Sequence, residues 1–432
     1  MPEFDFKPFS KKQKKAMTWW MSGSPVSGRD ILIADGAIRS GKTVALINGF
    51  IDWSLAEFSD ENFILVGKSM GALTKNVLNP LKRMLTTKGY DYYHVRTTAE
   101  PRIEIGSNKY YLYGANNVSS KDTLTGLTAA GSFADQVALF PENFVSTMID
   151  RCSVAGSRHW WNCNPQGPKH YLKTDFIDKA KRKKIFRLPF RLDDNLTLSE
   201  EIKKRYKRLH SGMWYARNVE GKWIQAEGVI YENFSDEIVV DQLPDSFKKF
   251  WIGGDYGITN PTAFELIGLG SDNIFYLIDE YRHEGGEEGT SRKTDKEYSE
   301  DLQQFLREKA RELDLSSVYL NPNWIWIDPS AAGLIQQLWR DRTSCPPLRK
   351  VKEANHEVVE GIQRLSSLIS LGKFKVHRRC QGAIDEFHAY SWDPKAQERG
   401  EDKPIKQNDH SLDGLRYGFN GIAQTNLFRQ VI

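Results

Sequence analysis

Four residues near the start of the chain have the types and the spacing of a loop that binds phosphate groups. The pattern G-x-x-x-x-G-K-[ST] is filled here by Gly36, Gly41, Lys42 and Thr43. In such a loop the glycines let backbone N–H groups approach phosphate oxygens, the lysine reaches the terminal phosphates, and the threonine hydroxyl ligates Mg²⁺. The pattern therefore predicts a site for ATP with Mg²⁺, and Ser40 lies in the same loop.

The residues on either side of this loop supply the strand and the helix that the site requires. Residues 31–34 form an apolar run typical of a buried strand, and residues 44–50 continue as an apolar helix. That order makes a chance glycine turn a poor explanation of the pattern. Arg39 lies inside the loop, where its cation either contacts the terminal phosphate or points to solvent.

A second carboxylate and a residue that orients water are also needed for hydrolysis. The run 131–135 ends in Asp135, which is predicted to hold the metal ion, although a helix cap is the alternative. Gln136 follows, where a glutamate general base is expected. A glutamine hydrogen-bonds water but cannot accept its proton, so either another acid serves or hydrolysis is slow. A substitution introduced to trap bound nucleotide would look the same.

Four further side chains are candidates for contacts with the nucleotide. Gln13 precedes the first strand, where a glutamine often reads the adenine edge, but a surface role is the alternative. Asn164 ends the strand-like run 158–163 and is a candidate sensor of the terminal phosphate. Arg151 and Arg158 are candidates for a cation donated to a neighbouring subunit, or are ordinary surface residues.

Three aspartates at the ends of well-formed elements predict a second site of different chemistry. Asp255 follows Trp-Ile-Gly-Gly, Asp328 follows Trp-Ile-Trp-Ile, and Asp413 lies in a helical stretch near the end of the chain. Two-metal phosphodiester hydrolysis needs converging carboxylates that hold two Mg²⁺ or Mn²⁺ about 4 Å apart. The alternative for each single aspartate is a cap or a turn. Together they resemble the ribonuclease-H-like nuclease plan.

Three more residues are candidates for supporting that site. Helical spacing predicts that Asp409 and His410 share a helix face with Asp413, at i−4 and i−3. Glu280 ends a strand-like run and is a candidate fourth acid.

The elements that position these residues divide into two groups. Apolar runs that alternate with helical patterns predict a mainly parallel sheet in the first half of the chain. The strands of this sheet are expected near 63–67, 102–105, 110–113, 132–135, 158–163 and 185–189. One helix, capped by Ser199, is expected near 198–218. An antiparallel meander is expected after residue 250, with further strands and helices at 296–313, 324–327, 330–340, 355–371 and 381–389.

The predicted fold class is therefore α/β, with a P-loop NTPase domain followed by a ribonuclease-H-like nuclease domain. We place the first domain at 1–220, with a helical lid from about 191 to 220, a linker at 221–249, and the second domain at 250–432. The polar segments 285–294 and 394–404 are candidates for the border of the nuclease cleft.

Composition narrows the class of protein without deciding it. A length of 432 residues with 40% hydrophobic content predicts two or three domains, and a net charge of +4 does not by itself imply nucleic acid. Basic residues cluster at 11–15, 179–184 and 203–208. The four cysteines lack metal-ligand or redox spacing and predict buried thiols in a reducing compartment. We find no secretory signal pattern and no membrane-length apolar run, which predicts an intracellular protein without a membrane partner.

The motifs together resemble the large terminase subunit of tailed bacteriophages, over nearly the whole chain. The resemblance rests on 36–43, on Ala134-Asp135, on 151–165, on Gly254-Asp255-Tyr-Gly, on Ile327-Asp328-Pro, and most specifically on 409–417. It implies a motor that docks on a capsid's portal protein, pumps double-stranded DNA with ATP and cuts the concatemer. It further implies a small terminase subunit as partner, a homo-oligomeric ring of about five subunits, and a place in the host cytoplasm and transiently at the procapsid portal.

Gln136 departs from that family's pattern, which has glutamate, and two other functions stay open. One is a nucleotide-switched DNA-binding scaffold without turnover. The other is an ATP-dependent repair or restriction nuclease, although no helicase motifs beyond the phosphate loop are present.

Overall fold

The structure, a computed structural model, describes residues 4–257, 261–284 and 293–431. Residue contacts divide the chain into two compact units. Unit 1 is Met1–Lys207, Gly212–Gln225 and Lys395–Glu401, and unit 2 is Arg208–Ser211, Ala226–Pro394 and Asp402–Ile432. The segment 221–249, predicted as a linker, is divided between the units after Gln225. Most of the polar segment 285–294 lies outside the described residues.

Within the described residues, eight strands form the sheet of unit 1, in the order β3-β4-β5-β2-β6-β7-β1-β8. They are β1 Ile31–Asp35, β2 Asn62–Gly67, β3 Tyr92–Val95, β4 Arg102–Ile105, β5 Asn108–Gly114, β6 Gly131–Asp135, β7 Arg158–Cys163 and β8 Ile185–Arg187. All neighbours are parallel except the β3-β4-β5 meander at one edge. The predicted mainly parallel sheet is confirmed, and β3 is a strand that the sequence analysis missed.

The first half of the chain carries seven described α-helices. They are α1 Lys11–Thr18, α2 Lys42–Glu57, α3 Met70–Leu73, α4 Asn79–Lys88, α5 Glu142–Arg151, α6 Glu200–Arg208 and α7 Gly212–Asn218. The single helix predicted over 198–218 is wrong, because Gly212 takes a φ of 46° and the chain turns between α6 and α7. Ser199 does cap α6, since its hydroxyl accepts a hydrogen bond from the backbone N–H of Ile202.

Both faces of the unit 1 sheet are covered, which explains why its strands read as continuous apolar runs. On one face Trp53 of α2 packs against Trp160 of β7, with ring centroids 4.6 Å apart. The next residue of β7, Trp161, lies in the core of the other face together with Phe144 of α5. Strands β1 and β6 are buried along their whole length in this sheet; the phosphate loop follows β1, and Asp135 is the last residue of β6.

Seven strands in the described part of unit 2 form a second sheet, in the order β14-β13-β10-β11-β12-β15-β9. They are β9 Val239–Val240, β10 Phe247–Asp255, β11 Thr262–Gly270, β12 Phe275–His283, β13 Ile325–Ile327, β14 Val351–Glu353 and β15 Phe374–His377. The meander β10-β11-β12 is antiparallel, as predicted, and the other strands join it in parallel. The α/β fold class, a P-loop NTPase sheet followed by a ribonuclease-H-like sheet, is confirmed.

The helices of the second half mostly lie where the periodicity predicts them. They are α8 Asp295–Glu312, α9 Ala332–Arg340, α10 Val358–Ser370, α11 Gln381–Ala389, α12 Pro394–Glu398, α13 His410–Ile422 and α14 Asn426–Val431. None of the helices in the described ranges has the length and apolarity that a bilayer-spanning segment needs. The four cysteines are buried free thiols, as expected, and burial raises the pKa of Cys152 to about 12.

Helix α13 contacts β10 through backbone atoms, because both elements have glycine at the crossing. A Cβ atom added to Gly253 would lie 2.0 Å from the carbonyl oxygen of Gly414 and 2.8 Å from the backbone nitrogen of Gly418. The contact holds the end of β10, with Asp255, beside the first turn of α13, with Asp413.

Substituting Gly253 with alanine is expected to destabilise unit 2 by about 1–3 kcal/mol, because the added methyl group must push α13 away from the sheet. Denaturant midpoints followed by circular dichroism measure the effect. Gly28→Ala is the matched control, since its Cβ would meet no atom within 4 Å. Equal midpoints for the two variants would contradict the close packing.

Candidate active sites

The phosphate loop begins where β1 ends, and two of its glycines have no substitute. Gly36 has a φ of 135°, and a Cβ atom there would lie 1.9 Å from the carbonyl oxygen of Phe190. Gly41 has a φ of 82° and stands directly before α2. The loop therefore takes a path that only glycine allows at these two points, and it leads into the N-terminus of a long helix.

Lys42 is folded back into its own loop. Its ammonium group donates hydrogen bonds to the carbonyl oxygens of Gly36 (3.0 Å) and Ala37 (2.6 Å) and to the hydroxyl of Ser40 (3.2 Å). It also donates to Oδ1 of Asn164, at 3.2 Å. Burial lowers the pKa of Lys42 to about 8, although nearby acidic groups oppose this shift. The ammonium thus lies at the centre of the loop, where all of its hydrogen-bond partners are neutral groups.

Asp135 faces the start of α2, as a carboxylate for a nucleotide-bound metal must. Its Oδ1 accepts hydrogen bonds from the hydroxyl of Thr43 (3.0 Å) and from Nδ2 of Asn162 (2.9 Å). Burial raises the pKa of Asp135, and these hydrogen bonds with the charge of Lys42 partly offset that effect. A hydroxyl and a carboxylate at this separation suit Mg²⁺, a cation that prefers oxygen ligands.

Gln136 adopts a left-handed backbone conformation, with a φ of 64°, immediately after β6. Its backbone N–H donates to Oδ1 of Asn162 at 3.2 Å, and its side-chain Oε1 accepts from the backbone N–H of Asn164 at 3.1 Å. A hydrogen-bonded contact therefore joins position 136 to Asn164, which also binds Lys42.

A cavity of about 210 Å³ lies beside Gly41. It is lined by residues 4–9, Gln13, Gly41, Val44, Asn195 and Thr197. Both ends of the Gln13 amide are engaged, because Oε1 accepts from the N–H of Ser10 (2.9 Å) and Nε2 donates to the carbonyl of Gly41 (3.2 Å). Gln13 thus connects α1 to the phosphate loop, and reading an adenine would require it to exchange one of these bonds.

The three aspartates of unit 2 line one open cleft of about 480 Å³. Asp255 is the last residue of β10, Asp328 follows β13, and Asp413 lies in the first turn of α13. Strands β10 and β13 are parallel neighbours, so their carboxyl ends bring Asp255 and Asp328 to the same edge of the sheet. The other described lining residues are Tyr256, Pro261, His356, Lys406, Gln407, Asn408, Asp409, His410 and Tyr417.

The charges of these carboxylates affect one another. Burial raises the pKa of Asp255, and the negative charges of Asp413 and Asp328 raise it further, while His410 opposes the shift. Nδ1 of His410 lies 2.9 Å from Oδ2 of Asp255. Burial lowers the pKa of His410, but this hydrogen bond and the charges of Asp255 and Asp409 outweigh burial and raise it.

Asp413 is paired with two cations. Arg416 donates from Nε to Oδ1 (3.1 Å) and places Nη2 at 2.8 Å from Oδ2, and Lys406 donates to Oδ2 at 2.9 Å. Lys406 also lies 3.3 Å from Oδ2 of Asp409, a buried atom that has no hydrogen bond.

In this arrangement no group of three His, Cys, Asp or Glu side chains among the described residues is close enough to hold a metal ion. The donor set nevertheless fits Mg²⁺ or Mn²⁺, because these ions prefer carboxylate oxygens as ligands and the carboxylates that line this open cleft repel one another.

The comparisons with known proteins point to one family. A model of the N-terminal part of the T4-type terminase large subunit matches residues 33–237. A large terminase from a thermophilic bacteriophage is 40% identical, with a TM-score of 0.89, over 97% of this chain and 100% of that chain. The chain belongs to the phage large-terminase family.

Two further structures of the thermophilic-phage large terminase carry nucleotides. The complex with ADP is 40% identical, with a TM-score of 0.88, and the match covers 97% of this chain and 100% of that chain. The complex with ATP-γ-S is also 40% identical, with a TM-score of 0.86, and the match covers 96% of this chain and 99% of that chain. A search of curated proteins returned no match.

The structure of this large terminase brings most of the predicted site residues together. Lys42, Thr43, Asp135, Gln136 and Asn164 are joined by the hydrogen bonds described above. Arg39, by contrast, has an exposed side chain and a φ of 54°, and the loop contact at this position is made by its carbonyl oxygen with Asn195.

Arg151 and Arg158 are not brought to the phosphate loop of the terminase. Arg158 opens β7 at the end opposite to Asn162, with its guanidinium 5.2 Å from the Trp19 ring. Arg151 ends α5, and its carbonyl accepts from the N–H of Ala129, which precedes β6. Both residues thus lie toward the amino ends of the parallel strands, at the end opposite to Asp135.

In the terminase's second site, one supporting residue differs from the expectation. Glu280 does not line the cleft, because its carboxylate accepts from the backbone N–H groups of Gly382 (2.6 Å) and Ala383 (2.9 Å) at the start of α11. Asp409 and His410 line the cleft with Asp413. Asp409 is the residue directly before α13, and its carbonyl accepts from the N–H of Asp413 with helical i→i+4 spacing.

Several residues of both terminase sites were not predicted from the sequence. Asp35 is fully buried and accepts from the guanidinium of Arg187 (Nη2, 2.7 Å) and from the indole N–H of Trp223 (2.7 Å). Lys406 and Arg416 were missed in the second site. Asp35 could have been predicted as a site residue, because it is a charged residue at the end of an otherwise apolar strand. Nothing in the sequence around Lys406 indicates a role in the second site.

Proposed function

We propose that the chain is the large subunit of a phage DNA-packaging terminase that hydrolyses ATP in unit 1 and cuts double-stranded DNA in unit 2. The observation that carries this proposal is the presence of two chemically different sites on one chain. One is a phosphate loop with an adjoining carboxylate, and the other is a cleft with three aspartates. The thermophilic-phage relatives bound to ADP and ATP-γ-S support the first site at 40% identity.

The ATPase half of the proposal assigns a role to each residue of the loop. Lys42 binds the terminal phosphates when it leaves Gly36 and Ala37, and Thr43 with Asp135 hold Mg²⁺. Asn164, which contacts both Lys42 and Gln136, senses whether the terminal phosphate is present. The amide of Gln136 orients water but cannot deprotonate it, so we expect slow turnover.

Nucleotide affinity should fall as pH rises above about 8, because the phosphates require a protonated Lys42 and its pKa is about 8 without ligand. Lys42 is half protonated at its pKa and nearly fully protonated well below it, and well above it the protonated fraction falls about tenfold per pH unit. Calorimetric titration with ATP-γ-S at several pH values between about 7 and 9.5 measures the slope.

Lys42→Arg is the control for this prediction, since a guanidinium stays charged throughout that range. The Lys42→Arg variant should show a flat profile even if it binds more weakly. An equal decline in both proteins would show that another group controls the pH dependence.

The nuclease half assigns the cleft to two-metal cleavage. Asp255, Asp328 and Asp413 would hold two Mg²⁺ or Mn²⁺, which supply Lewis acidity to water and to the leaving oxygen when bound. His410 fixes the carboxylate of Asp255 through its 2.9 Å hydrogen bond. The cleft is open, as a site for a duplex must be.

The partners follow from the family and belong to the same proposal. They are double-stranded DNA, a portal protein, a small terminase subunit and further copies of the chain in a ring of about five. The place of action is the host cytoplasm and, transiently, the procapsid portal. We propose the domain extents 1–220 and 250–432 for the two activities.

A plasmid-cleavage assay in Mg²⁺ and in Mn²⁺, with EDTA as control, tests the proposal. Nicking and linearisation only with metal support the nuclease half. If neither metal permits cleavage, a nucleotide-switched DNA-binding scaffold becomes the better function, which the glutamine at position 136 already favours. Strand unwinding by the same protein would instead indicate a repair or restriction enzyme.

A further inference from the structure

Lys406 reaches into the aspartate cleft from an otherwise exposed position. Its side chain is 64% exposed, yet its ammonium lies 2.9 Å from Oδ2 of Asp413 and 3.3 Å from Oδ2 of Asp409. Among the described residues that line the cleft, Lys406 is the only lysine, and no arginine is present. The Lys406 ammonium, at the end of a flexible side chain, thus bridges two carboxylates that repel each other.

The two halves of the cleft consequently carry different charge. The Asp409–Asp413 half contains two carboxylates, and Lys406 together with the 2%-exposed Arg416 neutralises them. The Asp255–Asp328 half has no lysine or arginine contact among the described ion pairs, and only His410 faces Asp255. A divalent ion is therefore attracted more strongly to the Asp255–Asp328 half than to the Asp409–Asp413 half.

Lys406 and Arg416 differ in how easily each side chain can move away from Asp413. Arg416 is buried in α13 and contacts both oxygens of Asp413, so it stays in place when the cleft changes. Lys406 lies before the helix on a long exposed stem, and its ammonium reaches water by rotation of that stem alone.

We propose that Lys406 is a built-in cation that occupies the Asp409–Asp413 half of the cleft in place of a metal ion. The two metals that the proposed nuclease requires then bind unequally. The first binds at Asp255 and Asp328 with Lys406 in place, and the second binds only when the ammonium moves out. This inference rests on the proposed two-metal function and adds to it an internal competitor that keeps the site half-filled at low metal concentration.

Nucleotide-free titration of the full chain with Mn²⁺, followed by the electron paramagnetic resonance signal of free Mn²⁺, tests the inference without measuring activity. The unmodified chain should show a tight and a weak class of Mn²⁺ site, and Asp255→Asn should remove the tight class. Lys406→Met should bind Mn²⁺ about tenfold more tightly in the weak class, the factor expected for removing two partly exposed ion pairs. Its tight class should change less than about twofold.

Two matched variants and a thermal melt separate the effect from a loss of structure. Lys406→Arg keeps the competing charge and should leave the weak class weak. Lys248→Met removes an exposed lysine of the same unit that binds Asn273, and should change neither class. If Lys406→Met melts early, Lys406→Gln serves as the replacement variant and should show the same tightening.

The outcomes distinguish this inference from the function on which it rests. Unchanged or weaker Mn²⁺ binding in the weak class of folded Lys406→Met overturns the role of Lys406 and leaves the metal site intact. Mn²⁺ binding that Asp255→Asn does not alter overturns the metal site itself, and the inference with it.

Discussion

Replacing Asp255 with asparagine is expected to slow DNA cleavage at least about a thousand-fold, or about 4 kcal/mol in activation free energy, and to leave nucleotide binding unchanged. Asparagine keeps the size of the side chain and removes the negative charge that the proposed metal needs. Asp255 is 8% exposed, and the negative charges of Asp413 and Asp328 help to raise the pKa of its carboxyl group, so a bound cation would stabilise its charged form. Asp328→Asn and Asp413→Asn should have the same effect.

Plasmid cleavage in Mn²⁺ and ATP-γ-S titration, carried out on the same preparations, measure the two quantities. Asp245→Asn, an exposed aspartate of the same unit, is the matched control and should retain full activity. Lys42→Ala should show the opposite pattern, with nucleotide affinity lost and cleavage kept. If Asp255→Asn still cuts DNA, the cleft is not the nuclease site, and if it loses nucleotide affinity, the two sites are not independent.

The substitution Gln136→Glu is expected to raise the rate of ATP hydrolysis by about 10²- to 10⁴-fold, the usual contribution of a general base. Position 136 lies directly after Asp135 and contacts Asn164, so a carboxylate here would face the water that attacks the terminal phosphate. Glutamate is nearly isosteric with glutamine, and one of its oxygens can accept the hydrogen bond from the N–H of Asn164. The free energy of unfolding should therefore change little.

Phosphate release under saturating ATP measures this gain, with DNA present and absent. Gln136→Asn is the control, because asparagine tolerates the left-handed backbone at this position but supplies no base. An unchanged rate in Gln136→Glu would place the missing base elsewhere and favour the nucleotide-switched scaffold.

The phosphate loop and the α/β fold class were predictable because their signals are local. Residues 31–34 are apolar, the whole of β1 is buried in the sheet, and the glycine pattern follows at once. The β10-β11-β12 meander was predictable for the same reason, since each strand is nine residues long. Asp255 and Asp328 could be grouped because Asp255 ends the run Trp-Ile-Gly-Gly-Asp of β10 and Asp328 follows the apolar run Trp-Ile-Trp-Ile.

Other features depend on contacts between residues far apart in the chain, and local patterns do not contain them. Strands β9 and β14 have two and three residues, too few for a periodic pattern, and exist because neighbouring strands pair with them. From the sequence, Glu280 resembles an acid at the end of a strand. In the structure its carboxylate accepts a hydrogen bond from the N-terminus of α11, about a hundred residues later in the chain. The turn between α6 and α7 follows from one glycine in a stretch of otherwise good helix formers.

Trp223 makes one more property of this chain measurable. Its indole N–H donates to Asp35, the residue that joins β1 to the phosphate loop, whereas Trp53 and Trp160 are sealed in the core. Indole emission depends on the charge and the hydrogen bonding around the ring, so Trp223 is a natural fluorophore within hydrogen-bond distance of the loop's first strand. The difference in fluorescence emission between the unmodified chain and the Trp223→Phe variant gives the emission of Trp223 separately from that of the other tryptophans. Loop rearrangement can thereby be followed in real time by stopped-flow spectroscopy, without a dye or a modified nucleotide.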